Sequence, residues 1–151
     1  MKRFEKSIIL NCSLQELFDF HLDLNNLKKI TPSNMKVILL NEVSKVETGT
    51  ILKIKSIKNF IPTYWEVEIK KMDSPNILVD YAIKSPFKYW EHSHIFIKRG
   101  NQVELKDVVV YQLPFGKFGK LFDFFIKREL ENMFEYRHQI TKKILSSKKQ
   151  D

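Results

Sequence analysis

The chain predicts an α+β domain in which a curved antiparallel sheet of seven strands wraps around one long C-terminal helix. Three observations carry this. Strand-like segments follow one another from residue 35 to residue 112 with only short turns between them, and consecutive strands so linked pair antiparallel. One further strand and two short helices precede them. Behind them, Lys117 to about Ser147 keeps a helical period. A chain of 151 residues fits one core, so a single domain is expected over residues 1–147, with a polar tail at 148–151.

Phe4 to Leu10 reads as the first strand, with Phe4, Lys6, Ile8 and Leu10 on one face. Ser13-Leu14-Gln15-Glu16 is a capping box, in which serine and glutamate each satisfy a free N–H of the first helical turn. It starts a short helix that ends near His21. Asp23 is placed to cap a second, Leu24 to Ile30, which Pro32 closes. Strands follow at Met35–Asn41, Thr50–Ile57, Thr63–Met72 and Ile77–Lys84, the last with Val79, Tyr81 and Ile83 on one face. Lys88–Lys98 and Gln102–Gln112 are joined through Gly100-Asn101, a hairpin signal. In the final helix Phe118, Leu121, Phe122, Phe125, Met133, Ile140 and Ile144 form one broad apolar stripe.

The 12 phenylalanines can fill a large core or line a wide cavity. The single cysteine, Cys12, excludes an intramolecular disulfide. The apolar run Ile8-Ile9-Leu10 near the N-terminus is too short for a signal peptide or a membrane span. A reducing compartment, the cytoplasm, is the expected location. A net charge of +8 suits nucleic acid or anionic lipid. A lysine-rich solvated surface is the favoured reading, because most of the excess is scattered lysine and arginine, the better phosphate reader, occurs only at 3, 99, 128 and 137.

Two stretches resemble a known family. One is Leu17-Phe18-Asp19-Phe20-His21 continuing through Asn26-Leu27 to Ile30-Thr31-Pro32. The other is Tyr111-Gln112-Leu113-Pro114-Phe115-Gly116 with Arg128-Glu129-Leu130, Met133-Phe134 and Tyr136-Arg137. Together with the element order they are similar to the START/Bet v 1-like (SRPBCC) superfamily, and within it to a bacterial ligand-binding branch related to polyketide cyclases and dehydratases. The resemblance implies a helix-grip fold with an apolar cavity between sheet and helix. It is nearly silent on activity, since the superfamily mixes carriers, lipid-transfer domains, cyclases and oxygenase subunits.

The residues offer a polar inventory for such a cavity. With a two-residue turn at Gly100-Asn101, Trp90 faces Tyr111, His92 faces Val109, His94 faces Asp107 and Phe96 faces Leu105. A His94–Asp107 pair could orient an acid/base or simply hydrogen-bond across strands, and the opposite hairpin face has a rival claim to the interior. Glu129 falls within the apolar stripe, where a carboxylate needs a partner. It could bind a ligand's polar group, act as an acid, or form a structural ion pair. Arg137 stands two turns further along. Trp65, Tyr81 and Trp90 are candidate cavity walls or ordinary core. Ligand-binding candidates are therefore Trp65, Tyr81, Trp90, His92, His94, Asp107, Tyr111, Phe118, Phe122, Phe125, Glu129, Met133 and Arg137, with His94, Asp107 and Glu129 as catalytic candidates. His92 and His94 could chelate a metal, but no third ligand is evident in the spacing. No metal and no cofactor are expected.

The leading functional expectation is binding of a small hydrophobic or amphipathic molecule such as a lipid, isoprenoid or polyketide-like metabolite. The alternatives are a cyclase- or dehydratase-type enzyme working in the same cavity, and a basic domain for membrane surfaces or RNA. Binding is favoured over catalysis, and turnover is left open. No nucleic-acid partner and no transmembrane segment are expected. Weak association with a membrane surface, and a monomer or a homodimer, stay open.

Overall fold

The computed structural model describes residues 1–147, so the expected polar tail at 148–151 lies outside the described residues. The elements are β1 (Lys2–Leu10), α1 (Leu14–Leu22), α2 (Asn25–Lys29), β2 (Met35–Leu39), β3 (Ile51–Lys58), β4 (Ile61–Asp73), β5 (Ile77–Lys84), β6 (Tyr89–Arg99), β7 (Gln102–Gln112) and α3 (Gly119–Ser147). A 3-10 turn at Gly116–Phe118 leads into α3. All neighbouring strands pair antiparallel, in the order β1-β7-β6-β5-β4-β3-β2. The first strand closes back against the last, as a helix-grip sheet requires. At about 1.5 Å per residue, α3 spans roughly 43 Å, and it packs on β1.

The local signals act as their chemistry dictates. Ser13 Oγ accepts from the Glu16 N–H at 3.0 Å, and Glu16 Oε1 accepts from the Ser13 N–H at 3.2 Å. Ser13→Ala should cost about 1 kcal/mol and lower the melting temperature by roughly 2–4 °C, measurable by thermal denaturation. Asp23 ends α1 in extended backbone and accepts from the Asn25 N–H at 3.0 Å. As a result α2 starts later than expected, at Asn25. Gly100 takes the left-handed conformation that the β6–β7 turn needs, at φ 61°. The resulting register pairs Arg99 with Gln102, His94 with Asp107 and Trp90 with Tyr111.

The core is layered along the strands. At the α1 end, Leu10, Phe18, Phe96, Leu105 and Leu145 form one apolar cluster. Beyond the middle of α3, Trp90, Val109, Tyr111, Leu130 and Phe134 form another. Between them lie His92, Asp107, His138 and Thr141, all buried. The period of two places His92 and His94 between Trp90 and Phe96 on β6, and Asp107 between Val109 and Leu105 on β7. This settles the hairpin's orientation: the face bearing Trp90, His92, Phe96, Asp107 and Tyr111 is interior.

The stripe expected on α3 is corrected in its first half. Leu130, Phe134, His138, Thr141 and Leu145 are the residues that α3 buries. Phe118, Phe122 and Phe125 remain 71%, 58% and 58% exposed. At 100° per residue, those phenylalanines stand roughly a third to a half turn from the centre of the buried face. They share their side of the helix with Glu129.

Candidate functional site: a buried histidine–aspartate cluster beside an aromatic cluster

Asp107 is the hub of the polar layer. His92 Nε2–H donates to its Oδ1 at 2.7 Å, and His138 Nε2–H donates to its Oδ2 at 2.6 Å. His94 Nδ1 lies 3.0 Å from Oδ1, off the line of a hydrogen bond. Asp80, across from His92 on β5, accepts from His94 Nε2–H at 3.2 Å. The two imidazole rings stack with centroids 3.9 Å apart. The His21 ring meets His94 edge-on at 5.1 Å, while its Nδ1–H donates to the Leu17 carbonyl at 2.9 Å.

Burial and charge divide the titrating groups. Burial works against the imidazolium of His94, yet Asp107 and Asp80 outweigh it and raise its pKa to about 9. Burial and the neighbouring His94 charge push His92 down. The same two causes push His21 down to about 3. Burial opposes ionisation of Asp107, but its three histidine neighbours hold it well below the usual carboxylate range. Asp80 is likewise lowered, burial being outweighed by His92 and His94. Arg137 is lowered by burial, and its guanidinium lies over the Phe134 ring at 5.6 Å. Two carboxylates thus face one imidazolium and one guanidinium, a balanced set that a buried site can tolerate.

The second apolar cluster carries a group of packed aromatic rings. Trp65, Phe87 and Trp90 meet edge to face or tilted, with centroids 4.8 to 5.8 Å apart, and Met133 and Ile126 of α3 pack against the same cluster. Glu129 is ion-paired with Lys58 at the end of β3, tying the β3–β4 hairpin to the middle of α3. Tyr111 hydroxyl donates to Asp123 Oδ1 at 3.2 Å. Burial, and then the Asp123 charge, push the Tyr111 phenol up to about 12.

The expected site residues therefore separate into sets. His92, His94, Asp107 and Arg137 join the polar layer. Trp65, Trp90, Tyr111 and Met133 belong to the aromatic cluster, Glu129 is ion-paired with Lys58, and Phe118, Phe122 and Phe125 are exposed. Tyr81 is the exception. It pairs with Glu91 and packs on Tyr89 and Lys70, on the sheet face opposite to Asp80 and Ala82. Inward positions on β5 are instead Leu78, Asp80 and Ala82.

Two small depressions lie towards α1 and α2. One, of about 20 Å³, is lined by Leu24, Leu27, Lys28, Val37, Leu39 and Leu52. The other, of about 300 Å³, is lined by Glu16, Asp19, Phe20, Asp23, Asn26 and Leu145. Neither borders any expected ligand-binding residue.

Sequence reasoning missed Asp80 and His138. It also read His21 only as a helix-end residue. Asp80 carries a findable signal, since the β5–β6 pairing sets it opposite His92. His138 falls on the same helix face as Leu130 and Phe134, four residues apart.

No protein-family model matches the chain, and no curated protein matches it in sequence. Solved structures do match its shape. TTHA0849 from Thermus thermophilus superposes with a TM-score of 0.71 at 14% identity, over 93% of this chain and 97% of that one. A START superfamily protein from Mycobacterium smegmatis gives 0.70 at 10% identity, over 96% and 97%. The di-domain ARO/CYC StfQ of the steffimycin biosynthetic pathway gives 0.76 at 7% identity, over 99% of this chain and 52% of that one. The fold is thus the helix-grip fold of START/Bet v 1-like proteins. Among the described residues no helix is long and apolar enough to cross a membrane.

Proposed function

We propose that this protein binds a small hydrophobic or amphipathic molecule in the groove between the concave sheet face and the first half of α3. The observation that carries this reading is the aromatic face of α3. Phe118, Phe122 and Phe125 are exposed on the same side as Glu129, which reaches across to Lys58, beside an aromatic floor of Trp65, Phe87 and Trp90. Apolar surface concentrated at one place on a protein marks a binding site. A lipid-, isoprenoid- or polyketide-like skeleton could cover the rings, with its polar end towards Lys58 and Glu129. The likeness of fold to a START protein and to an aromatase/cyclase supports the same class of ligand.

Native mass spectrometry of gently purified protein, with displacement of a fluorescent apolar dye, tests this. Dye should bind the native chain and be displaced by fatty acids or polycyclic phenols. Phe122→Asp and Phe125→Asp together should weaken dye binding at least tenfold, since each removes an apolar contact worth about 1–2 kcal/mol. Dye binding unaltered by both substitutions would remove the groove as the site.

The polar layer favours a second reading, acid–base chemistry of the cyclase or dehydratase type with His94 and Asp107. His94 and Asp80 side chains retain 14% and 18% exposure, so the layer is not sealed. Glu129 is a weaker catalytic candidate because Lys58 occupies its carboxylate.

A further inference from the structure

We propose that Asp80, His92 and His94 form a binding site for a divalent transition-metal ion of the zinc type. One donor atom from each of the three lies within 4.8 Å of the others. Asp80 Oδ2 stands 3.2 Å from His94 Nε2 and 3.7 Å from His92 Nδ1. Donors about 2.1 Å from a tetrahedral ion lie about 3.4 Å apart, so those two edges need only small side-chain movements to close around one.

The remaining ring nitrogens make the argument specific. His92 gives its Nε2–H to Asp107, which leaves the Nδ1 lone pair directed to the Asp80 side. His94 sets its Nδ1 3.0 Å from the same Asp107 oxygen, and its Nε2, whose proton otherwise goes to Asp80, takes the ion once that proton is released to solvent. A carboxylate holding the distal nitrogen of a metal-binding histidine, as Asp107 holds His92, fixes ring orientation and raises ligand basicity. His138 holds the other oxygen of Asp107 in turn. All these groups except His138 stand on paired strands, with Asp80 opposite His92 and His94 opposite Asp107, and rigid elements suit a site that needs fixed geometry.

Two imidazoles and one carboxylate favour a borderline ion over calcium or magnesium, which prefer oxygen donors. Three protein ligands leave at least one position for water or for an oxygen of a bound molecule. The residual exposure of Asp80 and His94 gives the ion a way in. This inference does not depend on the groove being the ligand site.

The test uses the full chain, stripped with a chelator and then titrated with Zn2+ by calorimetry and with Co2+ by visible absorption. One ion per chain is expected, with the Co2+ bands of a four- or five-coordinate site. Asp80→Asn and His94→Gln should each weaken Zn2+ binding at least tenfold, and Asp107→Asn by 10- to 100-fold through the outer contacts. Imidazole 15N spectra of the unmutated protein guard against variants that fail to fold. Zn2+ should shift Nδ1 of His92 and Nε2 of His94. Absence of 1:1 binding, equal affinity in the folded variants, or shifts confined to other histidines would each overturn the assignment.

Discussion

Asp107→Asn is expected to destabilise the protein by about 3–5 kcal/mol, the scale for removing one partner from a buried charge network. The carboxylate accepts from His92 and His138 through its two oxygens and faces His94 as well. Asparagine keeps one acceptor oxygen and substitutes an N–H donor for the other, so one histidine N–H then meets a donor. It also removes the negative charge that keeps His94 protonated. For a chain of this size the melting temperature should fall by roughly 10 °C. Asp107 is surrounded by side chains rather than by backbone, so the sheet hydrogen bonds should survive and circular dichroism at low temperature should keep its native form. A loss under about 1 kcal/mol in denaturant titrations would show that Asp107 is not the electrostatic centre of the core.

The pH dependence of stability should be nearly as large. In the metal-free protein His94 titrates at about 9, above the ordinary imidazole value of about 6.5. The folded state therefore holds that proton more tightly than the unfolded chain does. The associated stability is complete below about pH 6.5 and is lost as pH rises through about 9, amounting to about 3 kcal/mol. On the acid side the sign reverses. His92 and His21 are depressed in the folded state, so their contribution is complete above about pH 6.5 and declines as pH falls. Asp80 and Asp107, also depressed, lose theirs further down, below about pH 4. Stability in chelator-containing buffer should therefore peak near pH 6.5. His94→Gln should flatten the limb between pH 6.5 and 9 and shrink the acid limb without abolishing it, since burial still depresses His92 and His21. Denaturant midpoints at one-unit intervals would decide it.

How much of this could be read from the residues differs from element to element. The β6–β7 hairpin was fully legible, because Gly100-Asn101 allows one short turn and the period of two then sets every partner. The capping box located α1 for a similar reason: its signal is local. The register of β5 was not local. On that strand the aromatic Tyr81 points outward, towards Lys70, Tyr89 and Glu91, while Asp80 points in. Register shifts between Glu66 and Val67 and between Ile69 and Lys71 alter the alternation of its neighbour β4, and no turn residue announces them. The face of α3 misled for an energetic reason. Periodicity assumes that apolar residues are covered, yet here Phe118, Phe122 and Phe125 are open while His138 and Thr141 are buried. Polar residues at the centre of a buried face are invisible to a hydrophobic pattern. They become legible only when their partners, here Asp107 and the Arg137 carbonyl, are in view.

That division gives α3 two mechanical regimes within one continuous helix. From Leu130 onward its side chains are anchored by the core. Across its first turns the ties to the sheet are fewer, chiefly Asp123 with Tyr111 and Lys2 and the packing of Ile126. Opening free energy follows local packing, so the first turns can fray or swing while the rest of the helix stays in register. A guest molecule could be admitted by that movement alone, at a small fraction of the cost of unfolding the domain.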